Sequence, residues 1–484
     1  MPDGPDAGDA TEARQEHTTT AGLETPAPAG VVQAGNGAGA DPKLMTPRGA
    51  VFLGVGSMVG AGIFALLGEA GGVAGSAVWV SFLVAGVVSG LLGYALVKLG
   101  VRYPSSGGLI TYLIQAFGNG RVVGITSWLG YFTAIVLVGA MVAVSFGDYA
   151  ALLVAGHNAD PVLSKLFAAV MVIGATLLVA RGASGVDKVQ SVIVVALLAV
   201  FSIFIIATFK DMNTHLLAVS GYPSVRAIVS SVALTFFAYL GFAVISFAAG
   251  DIPNPTRNLP RAMYLALGIT GALYVAIAIG VFGTLSVAKV IDYGPTAIAE
   301  AARPTLGDAG FTVMAVAALL ATSSSVTATL YASRGLTGEL AAKGQFPPIF
   351  GPDSRLGPYG GVWITALATV ALAIGFDLGV IASVGSAVSL SVFALVAVAA
   401  IRLRREIRAA TWILLLAVVS CGLVLLSYAV DTLWGHPETF WCTVATVVLA
   451  IVIDTVWKHR HPSGPSEVAV PTVLRAPRGE GRPA

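Results

Sequence analysis

Charged residues are scarce in this chain. Only 11% of its 484 residues are Asp, Glu, Lys or Arg, whereas 56% are hydrophobic. A soluble domain carries about 25% charged residues, so the composition excludes an ordinary soluble protein. The formal net charge is only +2, which implies no nucleic-acid partner.

Reactive and metal-binding side chains are also rare. The two cysteines, Cys421 and Cys442, lie in apolar stretches and indicate packing residues, not a disulfide framework or a metal site. All six histidines fall in predicted loops or tails, and no Asp or Glu cluster lies within an apolar run. We therefore expect neither an enzyme nor a bound cofactor, because no nucleophile, base or metal set converges. The charged ring or repeated filter motif of a channel is missing as well.

Long apolar runs recur from residue 49 to residue 457, and many approach the roughly 20 residues that cross a bilayer core. They are continuous and lack the period-2 alternation of a membrane barrel, so their backbone groups are best satisfied in helices. The sequence predicts an all-α polytopic membrane protein with about twelve transmembrane helices. The predicted spans are 49–68, 76–100, 122–153, 162–180, 186–209, 225–250, 262–288, 309–336, 361–376, 378–401, 410–430 and 438–457.

The basic residues predict the orientation of these spans. With the N-terminus in the cytoplasm, most of the 27 Lys and Arg residues fall on the cytoplasmic side. The exceptions are Lys165, Lys210, Arg226, Lys289 and Arg303. The positive-inside rule therefore predicts a multi-pass protein of the inner (plasma) membrane with both termini in the cytoplasm.

The two ends of the chain differ from its middle. Residues 1–46 are rich in small and polar residues, residues 459–484 mix Pro, Gly and Arg, and neither holds a long apolar run. Both are predicted to be disordered cytoplasmic tails, and the first is not a signal peptide. They flank a predicted twelve-helix domain at 47–458.

Four glycines, Gly54, Gly56, Gly60 and Gly62, lie near the middle of the first span. The spacing of Gly56 and Gly60 also fits close helix packing, which is the alternative interpretation. Each interior glycine costs a helix about 1 kcal/mol relative to alanine, so four together favour local unwinding. Unwinding exposes N–H groups at a half-helix N-terminus, where a carboxylate is stabilised.

A second break is predicted in the sixth span at Gly241, among the aromatic residues of 236–243. A packed aromatic cluster is the alternative, but the position five helices after the first break favours a matching break. Paired broken helices mark secondary transporters built from inverted repeats. The predicted transporter domain thus contains one repeat at about 47–210, a second at about 222–405, and two added helices at about 410–457.

Motifs around these breaks resemble the amino acid–polyamine–organocation permease family, in the family's order and across most of residues 45–405. The motifs are Gly56-Ser-Met-Val-Gly60-Ala-Gly62-Ile-Phe64, Tyr103-Pro-x-x-Gly107-Gly-x-x-x-Tyr112, Phe237-Ala-Tyr239-x-Gly241-Phe242, Asn254-Pro255-x-Arg257-Asn258-x-Pro260, and Ser333-Arg334 followed by Gly344-Gln-Phe-Pro347.

The resemblance implies a LeuT-type fold, a 5+5 inverted repeat plus two C-terminal helices, that works by alternating access. An amino acid would lie between the two breaks. Its carboxylate would meet backbone N–H groups of the first break, and its amino group would meet carbonyls of the second. Phe237 and Tyr239 would be candidate gating aromatics. The implied substrate-binding residues are Ser57, Val59, Gly60, Ala61, Gly62, Phe237, Ala238, Tyr239, Leu240 and Gly241.

Three departures from the family leave energy coupling open. Ala243 replaces an acidic residue, helix five has no lysine between Val189 and Phe209, and Gly250 and Asp251 replace an acidic pair. Sodium coupling, proton coupling and exchange without an ion all stay open. Ser323 and Ser324 form a candidate sodium site, although hydroxyl groups that pack helices are the stronger interpretation.

No ionisable residue lies at the centre of the helices that would form the site. A second positive charge on a substrate would therefore be desolvated without a partner. This favours neutral amino acids as the small-molecule substrate. The alternatives are amines, polyamines or cationic amino acids, or an amino-acid sensor of the same fold that does not transport.

Overall fold

The computed structural model describes residues 46–460, except 106, 157–158, 182–185, 353 and 436. The predicted tails lie outside these residues almost entirely. Thr46 caps the first helix by accepting a hydrogen bond from the Gly49 N–H at 3.0 Å, and the last helix continues to Arg460. The described residues are helical and contain no β-strand.

Seventeen α-helices follow one another along the described chain. A π-helical segment, Phe132–Leu137, joins α5 to α6, and short 3-10 turns join several others. The helices are α1 (Pro47–Ala61), α2 (Ile63–Ala74), α3 (Val78–Arg102), α4 (Gly108–Phe117), α5 (Arg121–Tyr131), α6 (Val138–Ala155), α7 (Pro161–Ala180), α8 (Val186–Asp211), α9 (Val225–Ala238), α10 (Phe242–Phe247), α11 (Pro255–Thr284), α12 (Val287–Tyr293), α13 (Ala297–Ala342), α14 (Gly360–Gly375), α15 (Leu378–Arg402), α16 (Thr411–Gly435) and α17 (Pro437–Arg460).

Nine helical stretches within the described residues are long and apolar enough to cross a membrane. The all-α membrane class is thereby confirmed. The number twelve stays a prediction, because α9 and α14 are apolar but have only 14 and 16 residues.

The seventh predicted span begins earlier than the sequence indicated. The prolines after α10 predict a turn that continues to Arg261, but α11 already begins at Pro255. A proline is tolerated at the first helical position, since the N–H that it lacks would have no partner inside the helix. Asn254, in the left-handed region at φ 49°, turns the chain into this helix, and Pro260 lies inside it.

The long helix α13 is divided by a kink at Gly307, whose φ of 69° and ψ of −167° are not helical. Glycine adopts this positive φ without the steric strain that a β-carbon brings. The predicted eighth span, 309–336, corresponds to the part of α13 that follows the kink.

The two predicted broken helices lie among the other helices. The pair α1 and α2 packs on α8, α9, α11 and α13, and the pair α9 and α10 packs on α1, α3, α11 and α15. Hydroxyl groups fix α9 against α3: Ser231 donates to the Ser81 hydroxyl at 2.5 Å, and Thr235 donates to the Ser81 carbonyl at 3.0 Å. Such interhelical hydrogen bonds hold helices together where no water competes.

Gly60 lies where α1 meets α13, so replacing it with alanine should destabilise the protein. A β-carbon at Gly60 would lie 2.5 Å from the Ala321 carbonyl oxygen and 2.7 Å from the Ser325 β-carbon. We expect the Gly60→Ala variant to lose about 1–3 kcal/mol of stability through overpacking. Thermal unfolding of detergent-solubilised protein, with a lowered midpoint temperature, measures this loss.

The matched control is Gly90→Ala on α3, where a β-carbon would meet no atom within 4 Å. The same chemical change should leave the midpoint temperature unchanged or raise it, because alanine is the better helix former. Equal midpoints for the two variants would contradict the predicted close approach at Gly60.

Candidate functional site: two helix breaks

The first break is a single residue. Helix α1 ends at Ala61, α2 begins at Ile63, and Gly62 lies between them with φ −100° and ψ −74°. The Gly62 N–H donates to the Met58 carbonyl at 2.8 Å, and the Gly62 carbonyl accepts from the Leu66 N–H at 2.9 Å. The break is therefore narrower than the unwound segment predicted over Gly54–Gly62, because α1 stays helical through Gly54, Gly56 and Gly60.

The backbone N–H groups that lack a partner in their own helix lie after the predicted positions Val59–Gly62. The first N–H groups of α2, at Ile63, Phe64 and Ala65, have no partner inside their own helix. The carbonyls of the preceding residues 59–61 end α1 and likewise have none inside α1. The N–H donors that were expected at Val59–Gly62 therefore begin at Ile63, and residues 59–61 present acceptors. The positive end of α2 and the negative end of α1 lie side by side.

The second break spans Tyr239–Gly241, between the end of α9 at Ala238 and the start of α10 at Phe242. Hydrogen bonds of the tighter i−3 type continue across it. The N–H groups of residues 239 and 240 donate to carbonyls of residues 236 and 237, and those of residues 242, 243 and 244 donate to carbonyls of residues 239, 240 and 241. No N–H group in this series donates to the Ala238 carbonyl.

The two breaks pack directly on each other. A β-carbon at Gly241 would lie 2.6 Å from the Ser57 carbonyl carbon, and one at Gly62 would lie 2.5 Å from the Ala238 carbonyl oxygen. Each glycine thus lets its half-helix approach the backbone of the other broken helix. The structure therefore brings the predicted residues of both breaks together.

The predicted aromatic residues of the second break point into the core. Phe237 packs its ring against Gly385 of α15. Tyr239 donates its hydroxyl to the Phe82 carbonyl of α3 at 3.0 Å. Both side chains are buried, and a gating role for either stays a prediction.

The candidate sodium site is arranged differently from the prediction. The Ser323 hydroxyl donates to the Leu320 carbonyl of its own helix at 3.0 Å. Ala321 and Ser325 are the α13 residues that meet Gly60. The i, i+4 spacing of Ala321 and Ser325 places both residues on one face of the helix.

Tyr274 of α11 was missed in the sequence. Its hydroxyl donates to the Met58 carbonyl at 2.6 Å and lies 3.2 Å from the Ala238 carbonyl, so it contacts both breaks. The only local signal was a tyrosine within an apolar span, which is too common to mark a site.

Two cavities lie on either side of the breaks. The Leu53 cavity, of about 800 Å³, is lined by Leu53, Val244, Tyr331 and Arg334 among others. The Glu69 cavity, of about 400 Å³, includes Glu69 of α2. At 1.5 Å per residue, Leu53 and Glu69 are roughly 13 and 10 Å from Gly62 in opposite directions along the broken helix. Gly62 and the residues of the second break are buried, and they line neither cavity.

Three carboxylates that the sequence places at separate helix ends meet in the Glu69 cavity. Glu69, Asp148 and Asp377 all line it and interact electrostatically, and Lys165 lines it as well. The Ser164 hydroxyl donates to Asp148. Because these carboxylates come from distant parts of the chain, no local spacing indicates that they meet.

Two helices that break where they cross are typical of a LeuT-type fold. The solved structure of a manganese transporter from Eremococcus coleocola has this fold. The TM-score is 0.53 over 86% of this chain and 95% of that chain, at 14% identity. The likeness shows the fold alone, and it confirms the predicted fold class.

The chain belongs to the amino acid permease family, whose model matches residues 46–457. It is 33% identical to the inner membrane transport protein YbaT of Escherichia coli, over 80% of this chain and 89% of that protein. It is 26% identical to the methylthioribose transporter of Bacillus subtilis, over 82% and 90% of the two chains. It is 27% identical to the branched-chain amino acid permease BcaP of Lactococcus lactis, over 75% and 82%. The family resemblance seen in the motifs is thus confirmed, and the chain is a multi-pass membrane transporter of a small molecule.

Replacing Gly241 with alanine should impair transport, because the new methyl group would force the second break away from Ser57. An overpacking cost of about 1–3 kcal/mol at the site corresponds to roughly a tenfold or greater loss of uptake. Uptake of radiolabelled leucine and alanine, normalised to the amount of protein in the membrane, measures this loss.

Gly268→Ala on α11 is the matched control, since a β-carbon there would meet no atom within 4 Å. This variant should transport like the wild type. Wild-type uptake by the Gly241→Ala variant would show that the contact between the breaks is dispensable.

Proposed function

We propose that this protein is a secondary active transporter that moves neutral amino acids across the plasma membrane by alternating access. The observation that carries the proposal is the meeting of helix ends at one buried junction. The N-terminal end of α2 offers N–H groups at Phe64 and Ala65, which suit a carboxylate. The C-terminal ends of α1 and α9 offer carbonyls, which suit an ammonium group.

The side chains at the junction favour an uncharged substrate side chain. Ser57 is the polar residue of the predicted set at the first break, and residues 237–241 carry no charge. A second positive charge buried here would lack a compensating carboxylate. The name of the Lactococcus relative, a branched-chain amino acid permease, supports the same substrate class.

The two cavities support alternating access. The Leu53 cavity and the Glu69 cavity approach the buried junction from opposite ends of the broken helix. Arg334 lines the first of them, and the positive-inside rule assigns that side to the cytoplasm. Opening one cavity at a time would expose the substrate to each side in turn.

A second candidate is the transport of cationic amino acids or amines, which the Glu69 cavity favours. Five carboxylates line it, against the single Lys165, and such a cavity attracts cations; they are Glu69, Asp148, Asp160, Asp292 and Asp377. Glu69 lies roughly 10 Å from the break, by the helical rise from Gly62. The carboxylates would therefore concentrate a cation at the entrance without pairing with it at the junction.

Uptake into proteoliposomes tests the proposal. We expect labelled leucine or alanine to be taken up, and unlabelled neutral amino acids to compete better than arginine or a polyamine. Methylthioribose belongs in the competitor panel, because the Bacillus relative is named for it. Arginine that outcompetes the neutral amino acids would favour the cationic candidate, and binding without flux would favour a sensor.

The same proteoliposomes separate the modes of energy coupling. Uptake is measured in sodium-free buffer, with and without a proton gradient, and with unlabelled substrate inside the vesicles. A requirement for sodium, for the gradient or for internal substrate identifies sodium coupling, proton coupling or exchange, respectively.

A further inference from the structure

The side chain of Tyr274 reaches both broken helices. It projects from α11, which is unbroken around this residue, and its side chain is fully buried. The hydroxyl oxygen is 2.6 Å from the Met58 carbonyl oxygen and 3.2 Å from the Ala238 carbonyl oxygen. A β-carbon at Gly62 would overlap this hydroxyl, so the hydroxyl occupies the space that the glycine leaves free.

The hydroxyl shares its one hydrogen with both breaks, so a carbonyl of the second break gains part of a hydrogen bond that its own helix does not supply. The backbone hydrogen bonds across that break use the carbonyls on either side of Ala238 and pass over Ala238 itself. An unpaired carbonyl inside a membrane protein is strongly disfavoured, because no water is present to supply the missing donor. The Met58 carbonyl already accepts the Gly62 N–H, so the hydroxyl adds a second hydrogen bond there.

The electrostatics at this point would also suit a positive charge. Met58 and Ala238 lie in the last turns of α1 and α9, so the negative ends of two helix dipoles converge on one spot. The hydroxyl hydrogen of Tyr274 presents the partial positive charge that these ends attract, without an ion.

The tyrosine ring is held firmly. It makes edge contacts with the rings of Tyr239 and Phe82, at centroid distances of 5.0 and 5.4 Å. Tyr239 is in turn bound to the backbone of α3 through its own hydroxyl. The Tyr274 hydroxyl is therefore a fixed point, on α11, to which both breaks are attached.

We propose that Tyr274 is the positioning residue of the junction, whose hydroxyl holds the ends of α1 and α9 together in the closed state. This inference rests on the proposed transport function, because the two helix ends must separate or shift when either cavity opens to the site. Removing the hydroxyl should weaken the closed state and make the junction more accessible.

Thiol labelling tests the inference without any need for transport. Ser57 is 8% exposed beside the break, and a Ser57→Cys reporter is placed in a protein whose Cys421 and Cys442 are serine. We expect Tyr274→Phe to raise the rate of maleimide labelling of this reporter about 3- to 10-fold, the effect of losing one hydrogen bond. An unchanged labelling rate would overturn the proposal.

Tyr131→Phe is the matched control. Tyr131 is also buried and shares a hydrogen bond of 2.8 Å with the Thr365 hydroxyl, away from both breaks. Losing this hydrogen bond should leave the labelling rate of the reporter within about twofold of its starting value. Equal increases in the Tyr131→Phe and Tyr274→Phe variants would indicate general loosening of the protein and refute the inference. If Tyr274→Phe does not fold, Gly62→Ala displaces the hydroxyl instead, and the same comparison decides.

Uptake by the same variants separates this inference from the proposed function. If Tyr274→Phe increases labelling but no amino acid is taken up by the wild type, the positioning role stands and the transport proposal fails. If the wild type takes up amino acids and Tyr274→Phe leaves the labelling rate of the reporter protein unchanged, the transport proposal stands and the positioning role fails.

Discussion

Backbone groups at a helix break inside a membrane must find hydrogen-bond partners, and this requirement shapes the centre of the protein. A continuous helix satisfies its own N–H and C=O groups, but each break here interrupts that series. The first break is limited to Gly62, and the second is bridged by i−3 hydrogen bonds that leave out the Ala238 carbonyl. The Tyr274 hydroxyl shares its one hydrogen between that carbonyl, at 3.2 Å, and the Met58 carbonyl, at 2.6 Å. The groups that stay without helical partners, at the start of α2 and the end of α1, are those a zwitterion could satisfy.

Close packing of the two breaks depends on the same requirement. A tyrosine on a third helix can serve both breaks only if they touch, and they touch because Gly62 and Gly241 have no β-carbons. Gly60 brings α1 equally close to α13. Glycine therefore has two roles in this region. It permits the conformation of the break, and it permits the contact that satisfies the break's polar groups.

Much of the fold could be predicted from sequence, because bilayer thickness and the spacing of glycines are local signals. The sequence alone predicted the long apolar spans, a break that includes Gly62 and a second break at Gly241. The width of the first break could not be predicted, since Gly54 and Gly60 look like Gly62 in sequence but serve helix packing in the structure. The start of α11 at Pro255 was missed because a proline ends one helix and begins another equally well. Tyr274 and the carboxylates at Glu69 are brought to their positions by tertiary contacts that no local pattern records.

A site built from backbone groups also constrains what can be selected. Main-chain N–H and C=O groups recognise the carboxylate and the amino group that all amino acids share, so they cannot distinguish one amino acid from another. The choice between one amino acid and another must then come from side chains next to the junction. The aromatic and small residues around Phe237, at the end of α9, are candidates for this role. A substrate without the two charged groups, such as the one for which the Bacillus relative is named, would gain little from the helix ends. Competition between leucine and an uncharged analogue that lacks both groups would thus measure how much of the binding energy the helix breaks supply.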